Sequence, residues 1–401
     1  MAKQVDWDKV RALFNLDREY IHIGTSQYFV SHPKHIRDAI EKYRKQLDEN
    51  PTNFTENNEE NFPLQVRKKL VQYMGIDDPN LIALTDSATM GLGIIYTGLN
   101  INEEHDILTP EHNHYSHQEA IRQVVNRTGA SFREVPIYHQ MKDVTEESLV
   151  QALLNEIRDN TVVIGLTWVQ SDTGLKFPVK KFMNQLKKVN KQREKANQII
   201  VVLDGTHGFG IETETFPELD CDFFITSCHK WLYGPRGTGF VAAKKEAWGS
   251  VTPVIPSYTI LSMVTLNEEH PKAMNGVQMT PGGFHSMEHR WALKDAFEFA
   301  LDIGKEAIYE RVHQLNRQVK EGLASMSHVT LHTPIADELS AGITAFEVKG
   351  MKSKNVIKKL HDKKIIGTVA PYQTTFARLT PGIYNTPEEI DQVLEAIHSL
   401  K

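Results

Sequence analysis

Short apolar runs rich in β-branched residues alternate with longer stretches of helical periodicity over roughly the first 250 residues. Leu81–Leu84, Asp106–Thr109, Thr161–Thr167, Ile199–Leu203, Phe223–Thr226 and Gly239–Ala242 predict strands. Glu119–Arg127, Thr145–Asn155 and Lys180–Lys195 predict helices between them. Strands that are apolar throughout, with helices between them, belong to a mostly parallel sheet covered on both faces. The expected architecture is therefore α/β, with ligands held at the carboxyl ends of the strands. The last part of the chain changes character. A long helical pattern from Phe284 to Met326 is followed by Gly342–Val348, helix-like Lys354–His361, Ile365–Val369 and Thr375–Leu379. That mixture predicts a smaller α+β domain hung on a long connecting helix.

A chain of 401 residues has room for two or three domains with sizeable cores. Its 40% hydrophobic and 24% charged content exclude a disordered chain, a fibre and a disulfide scaffold. Lys plus Arg number 45 against 51 Asp plus Glu, a balance that points away from nucleic acid and anionic membranes and toward a small-molecule partner. Seven basic residues between Lys180 and Lys195 could contact RNA, but a solvated helix face is the expected reading. The two cysteines, Cys221 and Cys228, form no CxxC pair, which suggests a reducing cytoplasm and no structural zinc. The N-terminus has no apolar signal region and no apolar run approaches membrane-spanning length, so neither secretion nor a membrane is expected.

The densest chemistry lies between Asp204 and Phe240. The apolar run Ile199–Leu203 ends in Asp204-Gly205-Thr206-His207-Gly208, and Phe223–Thr226 ends in Ser227-Cys228-His229-Lys230 before a glycine-rich turn holding Gly234, Gly237 and Gly239. Two strands thus deliver polar groups at their carboxyl ends. A lysine there is costly unless its charge is used or neutralised. Desolvated, it has a lowered pKa and can form a Schiff base. A carboxylate on the neighbouring strand suits a cationic ring nitrogen such as that of pyridoxal phosphate. The plainer alternative is a buried Asp204–Lys230 ion pair flanked by a glycine turn.

Upstream, Leu81–Leu84 leads into Thr85-Asp86-Ser87-Ala88-Thr89 and then a helical pattern. A strand ending in small hydroxyl residues at a helix N-terminus offers N–H groups to an anion, although Asp86, Ser87 or Thr89 could simply cap the helix. Glu111, His112, His114 and His117 offer a metal-ligand set on paper. Their spacing does not place the three imidazoles on one helical face, and there is no HExxH pattern, so no metal is expected.

Taken in order, these segments resemble the class V aminotransferase superfamily of fold type I pyridoxal phosphate enzymes. Ser227-Cys228-His229-Lys230 through Gly239 resembles its lysine motif, Asp204-Gly205-Thr206-His207 its Asp-Gly-x-His element, and Ser87-Ala88-Thr89 its phosphate turn. Glu111-His112, Ser171-Asp172-Thr173-Gly174, Thr280-Pro281-Gly282-Gly283-Phe284 and Ala377 through Asn385 extend the resemblance over nearly the whole chain. The branch it resembles most is the isopenicillin-N-epimerase-like group, which includes C–S lyases.

The resemblance implies a mostly parallel seven-stranded sheet between helices in a large cofactor domain, residues 20–278. It also implies a small C-terminal domain, 279–401, joined by segment 1–19, and a homodimer. Lys230 would form the internal aldimine and move the α-proton. Asp204 would hold the pyridine nitrogen protonated, His207 would bond the phenolic oxygen, and His112, preferred over His114, would stack on the ring. Ala88, Thr89, Ser227 and His229 would hold the phosphate, Thr280 would reach the phosphate of a partner subunit, and Arg378 would clamp the substrate carboxylate. The chain departs from many relatives in having Gln170 where they have Asn or His.

The implied function is chemistry on an α-amino acid through an external aldimine and α-proton abstraction, of epimerase-like or C–S lyase type. A class V aminotransferase making a keto acid is the alternative. Cysteine desulfurase is disfavoured because Cys221 and Cys228 read as core residues rather than a mobile nucleophile. A non-catalytic cofactor-binding protein is also disfavoured, since Lys230 is present. Tyr28, Tyr258, Tyr372 and Tyr384 are the candidates to face the substrate.

Overall fold

The computed structural model describes residues 5–24, 30–259, 275–370, 372 and 375–400. Its strands are β1 (Ile21–His22), β2 (Ile82–Thr85), β3 (Asp106–Pro110), β4 (Ser131–Val135), β5 (Thr161–Thr167), β6 (Ile200–Asp204), β7 (Phe223–Ser227), β8 (Gly239–Ala243), β9 (Val329–Leu331), β10 (Thr344–Val348), β11 (Ile365–Ile366), β12 (Thr368–Val369) and β13 (Ala377–Leu379). Seven of them make one sheet in the order β2-β8-β7-β6-β5-β3-β4. The stretch from β4 to β7 is parallel, and β8 runs antiparallel to both β7 and β2.

Alternate residues of each strand enter different cores on the two faces of this sheet. Val201, Leu203 and Phe224 join one core, while Val202, Phe223 and Ile225 join the other. The six strands expected in this sheet are all present with small shifts at their ends. The seventh, β4, is an edge strand whose Ser131, Arg133 and Glu134 break any apolar run, so it leaves no pattern to read.

The small domain carries an antiparallel sheet in the order β12-β13-β10-β9, and β1 pairs in parallel with β11 beside it. Ile23, Leu315, Phe346, Leu360, Leu379 and Ile390 share its core. One expectation needs correction here. The long helical pattern is two helices, Met287–Ile303 and Lys305–Ala324, broken at Gly304, whose φ of 102° is open to glycine and strained for other residues. The first helix packs on Lys34–Glu49 and Asn61–Met74 and sends Leu293, Ala296 and Phe297 into the core of the large sheet. In packing, the helix Met287–Ile303 goes with the large sheet and Ile23 with the small-domain core. Side chains of segment 5–19 touch residues of both parts of the chain. Phe14 packs edge-on against Tyr233 and Phe299, and Arg11 pairs with Glu389 at 2.5 Å.

The lysine-rich stretch forms a helix only over Val179–Asn190, with Val179, Phe182, Met183 and Leu186 turned inward. Lys181 meets Glu146 and Glu147, and Lys187 meets Asp220, so these cations are neutralised within the chain. Among the described residues no helix is long and apolar enough to cross a membrane.

Candidate active site

The site is built on the carboxyl rim of the large sheet. Asp204, the last residue of β6, lies beside Thr167 of β5 and Ile225 of β7. Ser227, which ends β7, pairs with Gly239 of β8, which in turn pairs with Thr85 at the end of β2. Gly239 is required there: a Cβ would stand 2.6 Å from the Thr226 carbonyl oxygen and about 3 Å from the backbone of Ser87. The small side of β8 thus lets the Ser87 turn close over the end of β7.

Ser87 caps the helix Ala88–Gly98 by accepting the Met90 N–H at 3.1 Å. Ser227 Oγ accepts the Ala88 N–H at 2.8 Å, so two chain segments far apart in sequence meet at one helix N-terminus. Thr89 is exposed at that turn. Asp86 is no cap; it is held from outside by His285 at 2.9 Å and Arg290 at 3.0 Å. Thr280 Oγ accepts the Leu84 N–H at 3.1 Å and donates to the Gly276 carbonyl at 3.2 Å, which binds it to β2 of its own chain.

Lys230 Nζ lies 3.4 Å from His207 Nε2. Burial, reinforced by the nearby Arg378 charge and opposed by Asp204, lowers the amine pKa to about 8. His207 is held far below the usual imidazole range by burial and by Lys230 and Arg378, so it is neutral. Asp204 Oδ1 accepts the Thr206 N–H at 2.9 Å. Among the described residues the Nδ1 atoms of His207 and His117 and the hydroxyls of Thr167 and Thr206 are buried without a hydrogen-bond partner. Such a concentration of orphaned polar atoms at one rim is costly in a closed protein and fits a polar ligand placed among them.

The three histidines of the loop after β3 diverge. His112 stacks on Tyr138 with ring centroids 4.7 Å apart, between Glu111 at 3.3 Å and Asp172 at 3.4 Å. His114 caps the helix Tyr115–Thr128 and is the one that senses Asp204, Lys230 and Arg378, with its pKa lowered mainly by burial. His117 is buried against Tyr96 at 2.6 Å, and burial takes it to about 4. Among the described residues no group of three or more His, Cys, Asp or Glu could hold a metal ion. Gln170 is occupied: its Oε1 accepts Tyr138 OH at 3.1 Å and Thr173 Oγ1 at 2.9 Å.

Arg378 reaches the rim from β13, 1% exposed, and donates to the Ser171 carbonyl. Burial lowers its pKa to about 10, while Tyr372 and Asp172 act to raise it. The Ser171 hydroxyl in turn meets Tyr372 OH. His229 is half-buried next to Lys230. Of the tyrosines, Tyr384 is buried in the hub around Phe14, Tyr258 is exposed beside Gly282, and Tyr28 lies outside the described residues. Tyr138 carries no sequence pattern that would single it out; it enters through its contacts with Gln170 and His112.

The model of the aminotransferase class-V family matches residues 24–393. Isopenicillin N epimerase of Streptomyces clavuligerus is 24% identical over 405 residues, covering 98% of each chain. A probable cysteine desulfurase of Vibrio cholerae is 22% identical over 412 residues, covering 98% of this chain and 97% of that one. Among solved structures, a lysine-to-alanine mutant of C-DES with glycine covalently linked to its PLP cofactor superposes with a TM-score of 0.84 at 19% identity, covering 99% of this chain and 100% of that one. The same protein is described elsewhere as a cystine C–S lyase in complex with cysteine persulfide.

Proposed function

The chain belongs to the aminotransferase class-V family of pyridoxal phosphate enzymes, and from that premise we propose that it acts on an α-amino acid by taking its α-proton at Lys230. The observation that carries this is the Lys230 amine, 3.4 Å from a neutral His207 and lowered to about 8, on a rim shared with Asp204 and Arg378. When bound, pyridoxal phosphate supplies a sink for the electron pair left at the α-carbon. Asp204 would hold the ring nitrogen and His207 the phenolic oxygen, a use for its orphaned imidazole edge. Ala88, Thr89, Ser227 and His229 would hold the phosphate at the helix N-terminus. His114, within electrostatic reach of Asp204 and Lys230, is a better candidate than His112 to lie against the ring. Arg378, whose guanidinium is planar and always charged, would clamp the substrate carboxylate.

A neutral Lys230 is the base that accepts the α-proton, and as an ammonium it is the acid that returns one. Isomerase or C–S lyase chemistry is favoured over cysteine desulfurase, although desulfurases recur among the relatives. Cys221 and Cys228 are both 0% exposed and burial pushes both thiols up, so neither is placed to be a thiolate nucleophile. Transamination is the alternative outcome. For the second subunit, exposed Val254, Ile255, Tyr258 and Phe284 lie close together, joined by the Gly282 N–H to Pro256 bond of 2.8 Å. An apolar surface of that kind beside Thr280 supports a homodimer.

The test is the visible spectrum of the purified protein during addition of L-amino acids and S-substituted cysteines, with keto acid and D-amino acid assayed in parallel. A cofactor band that shifts with one amino acid is the expected result. In Lys230→Ala the band should change character and α-proton exchange should fall by about 10²–10⁴-fold. Full turnover in that variant would overturn the assignment.

A further inference from the structure

Tyr372 stands on the segment between β12 and β13, six residues before Arg378. Its hydroxyl meets Ser171 Oγ, while the Ser171 carbonyl receives the Arg378 guanidinium. Its ring lies edge-on to His114 with centroids 6.3 Å apart. Lys230 follows the end of β7, and its amine meets His207 at 3.4 Å, whereas the Tyr372 hydroxyl meets Ser171. One serine therefore ties a phenol to the group that would clamp the α-carboxylate. The α-carboxylate is bonded directly to the α-carbon. A phenol fixed to its clamp is near that carbon, and distant from whatever leaving group a longer side chain carries.

We propose that Tyr372 is a second acid at the α-carbon, delivering a proton from the side opposite Lys230, so that the enzyme inverts the configuration of an α-amino acid. This rests on the function proposed above and selects the epimerase outcome. The steps balance without a further reactant. Neutral Lys230 Nζ takes the α-proton as the C–H bond breaks. The retained electron pair closes a new bond to the proton of Tyr372 O–H on the opposite side. The phenolate recovers a proton from water, and the Lys230 ammonium returns one to water. Burial pushes the Tyr372 phenol up to about 12, which keeps it protonated and ready to donate at neutral pH.

The experiment incubates wild type, Tyr372→Phe and Ser171→Ala with the standard L-amino acids and L-cystine in deuterium oxide. Mass spectrometry reads α-deuterium, chiral chromatography reads D-product, and the cofactor band and unfolding midpoint are recorded for each protein. Wild type should give deuterated D-amino acid. Tyr372→Phe should keep the cofactor band and deuterium incorporation with retention, while D-product falls at least 100-fold. Ser171→Ala, which spares the backbone carbonyl that Arg378 uses, should lower D-product about 10-fold and serves if Tyr372→Phe does not fold. Equal D-product from wild type and both variants overturns the role of Tyr372, as does α-deuterium in wild type with no D-product. Absence of any α-deuterium in wild type overturns the α-proton reading itself, and the role of Tyr372 with it.

Discussion

At the seam between the two domains the Glu212 carboxylate takes Lys176 at 2.6 Å and His313 at 2.8 Å, and Asp337 takes Lys320 at 3.5 Å as well as Arg317. At the carboxyl rim of the large sheet Lys230, Arg378, His114, His117 and His207 gather near Asp204, and among the described residues His117 and His207 keep an unpartnered nitrogen, as His313 does in the seam. Both regions remove charge from water. In the seam each charge has an opposite one within reach, which is what a buried network needs to hold two bodies together. At the rim the basic groups are instead pushed toward their neutral forms. A buried cluster whose charges match one another serves as scaffold; one whose bases are held toward neutrality is suited to chemistry.

The same chemical change made in both regions should separate them. Glu212→Gln takes the nearest carboxylate away from Lys176 and His313 and should cost about 3–5 kcal/mol in urea unfolding. Asp204→Asn in the apoprotein should cost under about 1 kcal/mol, while cofactor retention on dialysis falls sharply. Equal losses of stability would break the comparison.

A smaller effect, of opposite sign, comes from Lys230. Its folded pKa is about 8 against 10.5 when unfolded. Below pH 8 both states are protonated and the folded apoprotein bears the full penalty. Between pH 8 and 10.5 the unfolded chain binds more protons, so stability rises with pH. Lys230→Met should therefore stabilise the apoprotein by on the order of 2 kcal/mol below pH 8, and the gain should fade by about pH 10.5. His117 gives the smallest change. With its folded pKa near 4 against 6.5, stability is complete above pH 6.5 and is lost as pH falls toward 4. His117→Gln should flatten that acid limb by roughly 1–2 kcal/mol at pH 5.

The rim was legible because its chemistry is local. An apolar run that stops in Asp204, or in Ser227 through Lys230, announces a strand end that carries polar groups. The seam was not legible, since Lys176, Glu212, His313 and Asp337 are ordinary surface residues until the fold brings them together. The helix break at Gly304 was hidden for a different reason: one glycine within a helical pattern reads as tolerated, and its positive φ shows only in the backbone. The choice between His112 and His114 turns on the direction of a short loop, which no periodicity records. Tyr372 was readable only as one of four tyrosines that could face the substrate, since its link to Ser171 spans 201 positions of sequence.

The pairing of β1 with β11 sets a timetable for the newly made chain. Ile21 leaves the ribosome 344 residues (365 minus 21) ahead of its partner Ile365. Ile23, fully buried among small-domain side chains, must wait as long. At about 5–20 residues per second the wait is tens of seconds, ample time for the large sheet to collapse alone. The small domain can close only after Ile365 has emerged, so a chain truncated before it would leave β1 unclaimed and open to mispairing with a neighbour.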